Sequence, residues 1–379
     1  MPVGAAHALI GEGGPLRRLE RRCRLTRPRS QILVVLAITW LPLTLGSLLT
    51  EHQTGHPSAL LRDISMHVRL VVATPLLLFL DRVFPRACSH TVDQLSRTGF
   101  IKPADQDRFE HLLARVNRLS EWWLPELLLA IAALGLGIAT LLVESSQGDL
   151  LRRADLSVAD WWYALVALPL FEFLLLRSLW RWVTWVIALA GLSRLDLDLD
   201  ATHPDRCGGI SFLRKPSLAY CALVLFAASA VTSAAWSDRF QFVTIGSFVP
   251  LLLVFAAVAT LVAFGPLLVF TFQLHRVKVA AAEAMGGLAA RNGRWFRERW
   301  MNSADGEVLS TADVQGLAAI GSTYREAVKQ LRLVLFERRD LMLVLFAALL
   351  PAVPSMLVRI THEEWLAMAS FVVGTGLPL

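Results

Sequence analysis

Residues 161–192 read WWYALVALPLFEFLLLRSLWRWVTWVIALAGL. As one helix this run is about 48 Å long at 1.5 Å per residue, against about 30 Å for the hydrocarbon core of a bilayer. It opens on Trp161-Trp162-Tyr163, an aromatic belt of the kind that lies at a membrane interface. It carries Glu172, Arg177 and Arg181, charges that hydrocarbon does not tolerate in isolation. A run of this kind is a membrane span with an extension, and it decides the fold class.

The pattern recurs on both sides. Apolar stretches near 31–50, 64–80, 122–143, 217–237, 243–274 and 341–358 bring the expected spans to seven. The apolar tail 364–379 is a partial eighth span or an interfacial helix. Charge then sets the orientation. With the N-terminus inside, the inner segments 1–30, 82–121, 193–215 and 276–339 hold 7, 7, 4 and 11 Lys/Arg. The outer connections 51–66, 144–160 and 238–242 hold 1, 2 and 1. Lys and Arg resist translocation, so the N-terminus is expected in the cytoplasm.

Composition agrees. The 379 residues are 55% hydrophobic and 18% charged, whereas soluble domains approach a quarter charged. The basic residues flank spans and do not form one stripe. That points to anionic inner-leaflet lipid as the partner and away from nucleic acid. Seven arginines between Arg17 and Arg29 resemble a signal-peptide n-region, but the stretch Ile32–Leu49 lacks a small-x-small cleavage site. An uncleaved first span is expected. Cys23, Cys88, Cys207 and Cys221 all fall on or near the inner side, so no disulfide is expected.

The chain divides into a basic N-terminal segment (1–30), a first transmembrane hairpin (31–80) and an amphipathic inner segment (81–121). A second hairpin with an inner extension (122–192), an inner loop (193–216) and a third hairpin (217–274) follow. A helical arm (275–340) and the last span with its apolar tail (341–379) complete it. Phe109, Leu112, Leu113, Val116 and Leu119 predict an amphipathic helix ending at Trp122-Trp123. The arm reads as two helices, about 276–302 and 311–339, packed as a layer under the bundle and covering Trp180, Trp182 and Trp185. Its Trp295 and Trp300, among Arg291, Arg294, Arg297 and Arg299, suit a membrane surface. The runs around Pro75, Pro169 and Pro266 resemble one another, which predicts three copies of a hairpin unit, with chance similarity of apolar sequence as the competing account.

The densest polar constellation is the inner loop Arg194–Gly209. Alternating Leu and Asp puts Asp196, Asp198 and Asp200 on one side of an extended segment. The functional candidates here are His203, Asp205, Arg206, Cys207, Gly208 and Gly209. An EF-hand fails because Ala201 and Cys207 stand where Gly and Glu are required. His203, Asp205 and Cys207 are suitable metal-ligand types but form no second cluster, so they stay weak metal candidates and no cofactor is expected. Arg206, Arg214 and Lys215 precede the next span and suit an anion or a lipid phosphate. The competing reading is a structural turn in which Asp205 caps backbone N–H groups.

Within the spans, Glu172, Arg177, Arg181 and Glu126 are the candidates for a substrate or ion path. Glu172 lies deepest, with Arg177 or Arg181 as its expected partner. Snorkelling or local pairing is expected for Arg69, Asp81, Glu126 and Arg181.

The run His203-Pro204-Asp205-Arg206-Cys207-Gly208-Gly209-Ile210-Ser211-Phe212-Leu213 resembles a loop in a family of bacterial multi-pass membrane proteins of uncharacterised activity. Thr311–Leu317 through Pro351–Pro354 is similar to the tail of the same family. The resemblance implies a bacterial inner-membrane location and no mechanism. The leading expectation is a transporter or channel-like protein for a small solute, with anions among the candidates. A sensor or assembly partner binding another protein through 276–339 is the alternative, and an enzyme at the inner interface is the least favoured.

Overall fold

The computed structural model describes residues 28–54, 63–146, 158–239, 245–301 and 311–353. Among these the chain is helical, with one isolated antiparallel bridge, Ile101 to Leu197. The helices are α1 (Pro28–Thr54), α2 (Ile64–Arg97), α3 (Gln106–Glu121), α4 (Trp123–Ser146) and α5 (Val158–Leu192). They continue with α6 (Arg214–Arg239), α7 (Ile245–Phe264), α8 (Thr271–Phe296), α9 (Thr311–Tyr324) and α10 (Arg338–Leu349). Six helical stretches are long and apolar enough to cross a membrane: 29–52, 64–97, 103–139, 158–192, 211–235 and 252–299. The architecture is that of an all-α integral membrane bundle. The expected seventh span begins in α10, but its end lies outside the described residues, as does the whole of 364–379.

Two spans run further than their apolar sequence suggests. The inner segment was expected to open at Asp81, yet α2 continues unbroken to Arg97. Phe84, Cys88, Val92 and Leu95 are the cause: they recur at helical spacing and are all buried. They belong to one core with Trp182, Trp185 and Tyr220. Trp182 stacks on Tyr220 with centroids 4.8 Å apart, and Trp185 donates its Nε1–H to Ser217 Oγ at 3.1 Å. Of the projecting tryptophans of α5, Trp182 and Trp185 thus pack with residues of α2 and α6.

The other long element is α7. It passes through a 3-10 turn at Gly265–Phe270 into α8, so the first helix of the arm continues a span. Of α8 only Leu274 is buried, and α9 packs back along it. The arm's helices form a hairpin with little burial of α8, while the end of the arm packs on the bundle through the buried Leu335. Only that part lies against the bundle as the expected layer would.

Proline sets local geometry in three places. Pro125 cannot follow a helical carbonyl at Glu121, and the backbone is extended at Trp122, separating α3 from α4. Pro75 and Pro169 each follow a π-helical step, at Val68–Ala73 and Tyr163–Ala167. The residue before each proline, Thr74 and Leu168, donates its N–H five residues back, to Arg69 O and Tyr163 O. Around Pro266 the step is 3-10 instead.

Candidate functional site

Helix α5 carries two sets of ionisable residues, and they differ in kind. Arg177 is 1% exposed. Its Nε donates to Glu126 Oε1 on α4 at 3.1 Å, and its Nη1 to Asp81 Oδ1 on α2 at 2.9 Å. Arg181 pairs with the same Asp81 carboxylate and donates to the Asp81 carbonyl. Two cations and two anions thus form a buried cluster that ties α2, α4 and α5 together, in which Arg177 Nη2 makes no hydrogen bond. Asp81 and Glu126, for which snorkelling or local pairing was expected, are its acceptors. Buried charges persist when paired in this way, and removing one partner is costly.

Glu172 stands apart from that cluster. It is half-buried, and its chain neighbour Phe171 belongs to an apolar group with Leu174, Leu77 and Leu78. It makes no hydrogen bond or ion pair among the described residues, and the charge acting on it is Arg69 of α2. Arg69 hydrogen-bonds the Tyr163 hydroxyl and lies 5.5 Å from the Phe171 ring centroid, while its Nε is buried without a hydrogen-bond partner. Trp40 donates to His67 Nδ1 at 3.1 Å close by in sequence. Arg69 and Tyr163 are also the residues whose carbonyls accept across the two π steps. Such steps widen the helix locally and recur at functional sites.

The inner loop is held together by one carboxylate. Asp205 accepts N–H groups from Cys207 at 2.8 Å, Gly209 at 2.9 Å and Ser211 at 3.0 Å, and His203 Nδ1 lies 2.9 Å from it. Partial burial pushes the Asp205 pKa up, but these donors outweigh it and hold the group below the usual carboxylate range. Arg206, Gly208 and Gly209 have φ of 57°, 68° and 93°. A Cβ at Gly209 would stand 2.3 Å from Phe100, so this glycine is required for both conformation and space. Cys207 is buried, with Sγ 3.7 Å from the Val334 carbonyl. Burial first, and Asp205 second, raise its thiol to about 11. A thiol so placed is a poor nucleophile or metal ligand. Among the described residues no three His, Cys, Asp or Glu side chains converge as a metal site would require. Leu195 and Leu197 point inward and Asp196, Asp198 and Asp200 outward, the alternation read from the sequence.

The loop is also the socket of the arm. Gln273, at the start of α8, donates to the carbonyls of Ser193 and Leu195 at 2.8 and 2.7 Å. The returning segment bonds back through Arg332 N–H to Arg206 O at 2.8 Å. Lys278 holds the Leu331 carbonyl at 2.9 Å. Arg214 lies 3.1 Å from Glu337 and 3.0 Å from Asp340, and Arg332 lies 3.0 Å from Glu337. Of the three expected anion ligands, Arg214 is thus engaged by two carboxylates, whereas Arg206 and Lys215 are exposed.

Sequence reasoning named Glu172, Arg177, Arg181 and Glu126 as one set. The structure joins the last three and adds Asp81, and it sets Glu172 against Arg69. In the sequence Tyr163 carries only the signal of an interfacial belt, and Gln273 carries none. No family model, curated protein sequence or solved structure matches this chain.

Proposed function

We propose that the chain is a transporter or channel-like membrane protein for a small solute, with its path passing between α2 and α5 at Arg69 and Glu172. The observation that carries this reading is the carboxylate of Glu172, which lies within a span, lacks a hydrogen-bonding partner and faces the field of Arg69. An intramembrane charge of that kind is retained for function more readily than for stability. Arg69, with an unengaged Nε, makes a small anion the expected cargo and leaves Glu172 to exchange a proton or repel the anion onward. The twin π steps at Pro75 and Pro169, one per hairpin, support the hairpin repeat, and the differing turn at Pro266 weakens its third copy. The basic end of the bundle, with the loop and the arm, is the cytoplasmic side on this reading, and the bacterial inner membrane is the expected location.

Flux of protons and small anions into liposomes carrying the purified chain tests the proposal. Wild type should conduct or exchange at least one of them, and both Glu172→Gln and Arg69→Gln should remove that flux. Equal flux in all three would refute it.

A second reading has its own observation. The arm buries almost nothing of α8 yet is anchored at both feet by the loop. That is the geometry of a lever for a cytoplasmic protein partner docking on 276–339. Removal of residues 279–327, with a short linker, should abolish such a complex and leave liposome flux intact.

A further inference from the structure

Beyond the proposed path, the structure holds a groove of about 890 Å³ between α6 and α10. This volume lies within the roughly 300–1,000 Å³ of pockets that take small ligands. Its two ends differ sharply. Arg214, Glu337, Arg339 and Asp340 line one end, where both helices begin. Leu218, Met342, Leu343, Phe346, Leu350 and Val353 line the remainder. The apolar wall from Met342 to Val353 is about 17 Å long at 1.5 Å per residue. One leaflet of the hydrocarbon core is about 15 Å deep. The groove therefore has the zoning and the length of a single phospholipid, headgroup at the charged end and chains along α10.

We infer that this groove binds an anionic phospholipid of the leaflet next to the basic end. Charge complementarity chooses the headgroup. Arg214 and Arg339 line the mouth with Glu337 and Asp340, and Lys215 and Arg338 adjoin them in sequence. Both carboxylates are held by Arg214, and Glu337 also by Arg332. Lys215, Arg338 and Arg339 are exposed and make no ion pair among the described residues. Arg339 lines the groove itself and meets the phosphate. The Glu337–Asp340 capping box satisfies the N-terminus of α10, so the attraction comes from side chains and not from free backbone N–H groups. The inference rests only on the chain's spanning a membrane and is independent of any transported solute.

The test uses the full chain in detergent, with bound lipid counted by native mass spectrometry. Dioleoyl phosphatidylglycerol should bind in a one-to-one complex and resist displacement by dioleoyl phosphatidylcholine. Each of Lys215→Ala and Arg339→Ala should weaken it about fivefold, the effect of one cation near an anionic headgroup. Leu343→Trp, at an exposed position inside the groove, should abolish it without lowering the thermal midpoint. Equal binding of the two lipids, binding of glycerol phosphate as tight as that of the lipid, or indifference to all three variants would overturn the inference. A photoreactive side chain at position 346 in membranes should label phospholipid. Labelling of residues 354–379 instead would show that the chain's own tail occupies the groove, and would equally overturn it.

Discussion

Arg177 and Glu172 sit five positions apart on one helix and have opposite fates. Arg177 is sealed at the junction of three helices, with each cation of its cluster matched by a carboxylate. Glu172 is half-buried, has no hydrogen-bond partner among the described residues and lies in the field of Arg69. In the first arrangement Asp81 and Glu126 are both engaged by arginine, and Arg177 Nη2 is buried without a hydrogen bond. The second keeps an acceptor uncommitted inside a span. The two charges share one helix and differ in the state of their partners.

The comparison can be broken by substitution, beginning with the largest effect. Asp81→Ala removes the carboxylate that Arg177 and Arg181 share. Breaking a buried pair costs about 3–5 kcal/mol, so the thermal midpoint in detergent should fall steeply. Asp205→Ala should cost about 3 kcal/mol, because three N–H donors and His203 lose their acceptor. Chemical denaturation would read that loss. The pH dependence has a defined sign. The folded pKa of Asp205 is depressed, so its stabilisation is fully present above the unfolded value near 3.9 and lost as pH falls through the folded value. Arm anchoring, followed by protease sensitivity of 331–337, should therefore not change from pH 8 to 5 and should fail only in stronger acid. Gly209→Ala should cost about 2 kcal/mol through its positive φ, with displacement of Phe100 visible as a change in the loop's own protection. Glu172→Gln, which removes no hydrogen bond, should shift stability by less than about 0.5 kcal/mol. A large destabilisation there would mean that Glu172 is structural too.

Much of this was legible in the sequence, for reasons that can be named. The spans, the amphipathic α3 and the alternation of Leu and Asp at 195–200 are local periodicities, and periodicity survives in a single sequence. The turn built on Asp205 was foreseeable from Pro204 and the glycine pair. The pairing of charges was not. Arg177 meets Glu126 across 51 positions and Asp81 across 96, separations that no local pattern encodes. The extension of α2 was missed because its polar residues hide a buried stripe at 84, 88, 92 and 95 from a search for apolar runs. The stance of the arm was missed because a mixed apolar and charged helix reads the same whether it covers a bundle or pairs with its neighbour.

The most direct test is a side-by-side reconstitution of wild type and Glu172→Gln in liposomes, with the thermal midpoint of each measured before insertion. The account predicts matched midpoints and a loss of solute flux in the variant alone. Matched midpoints with matched flux would contradict it.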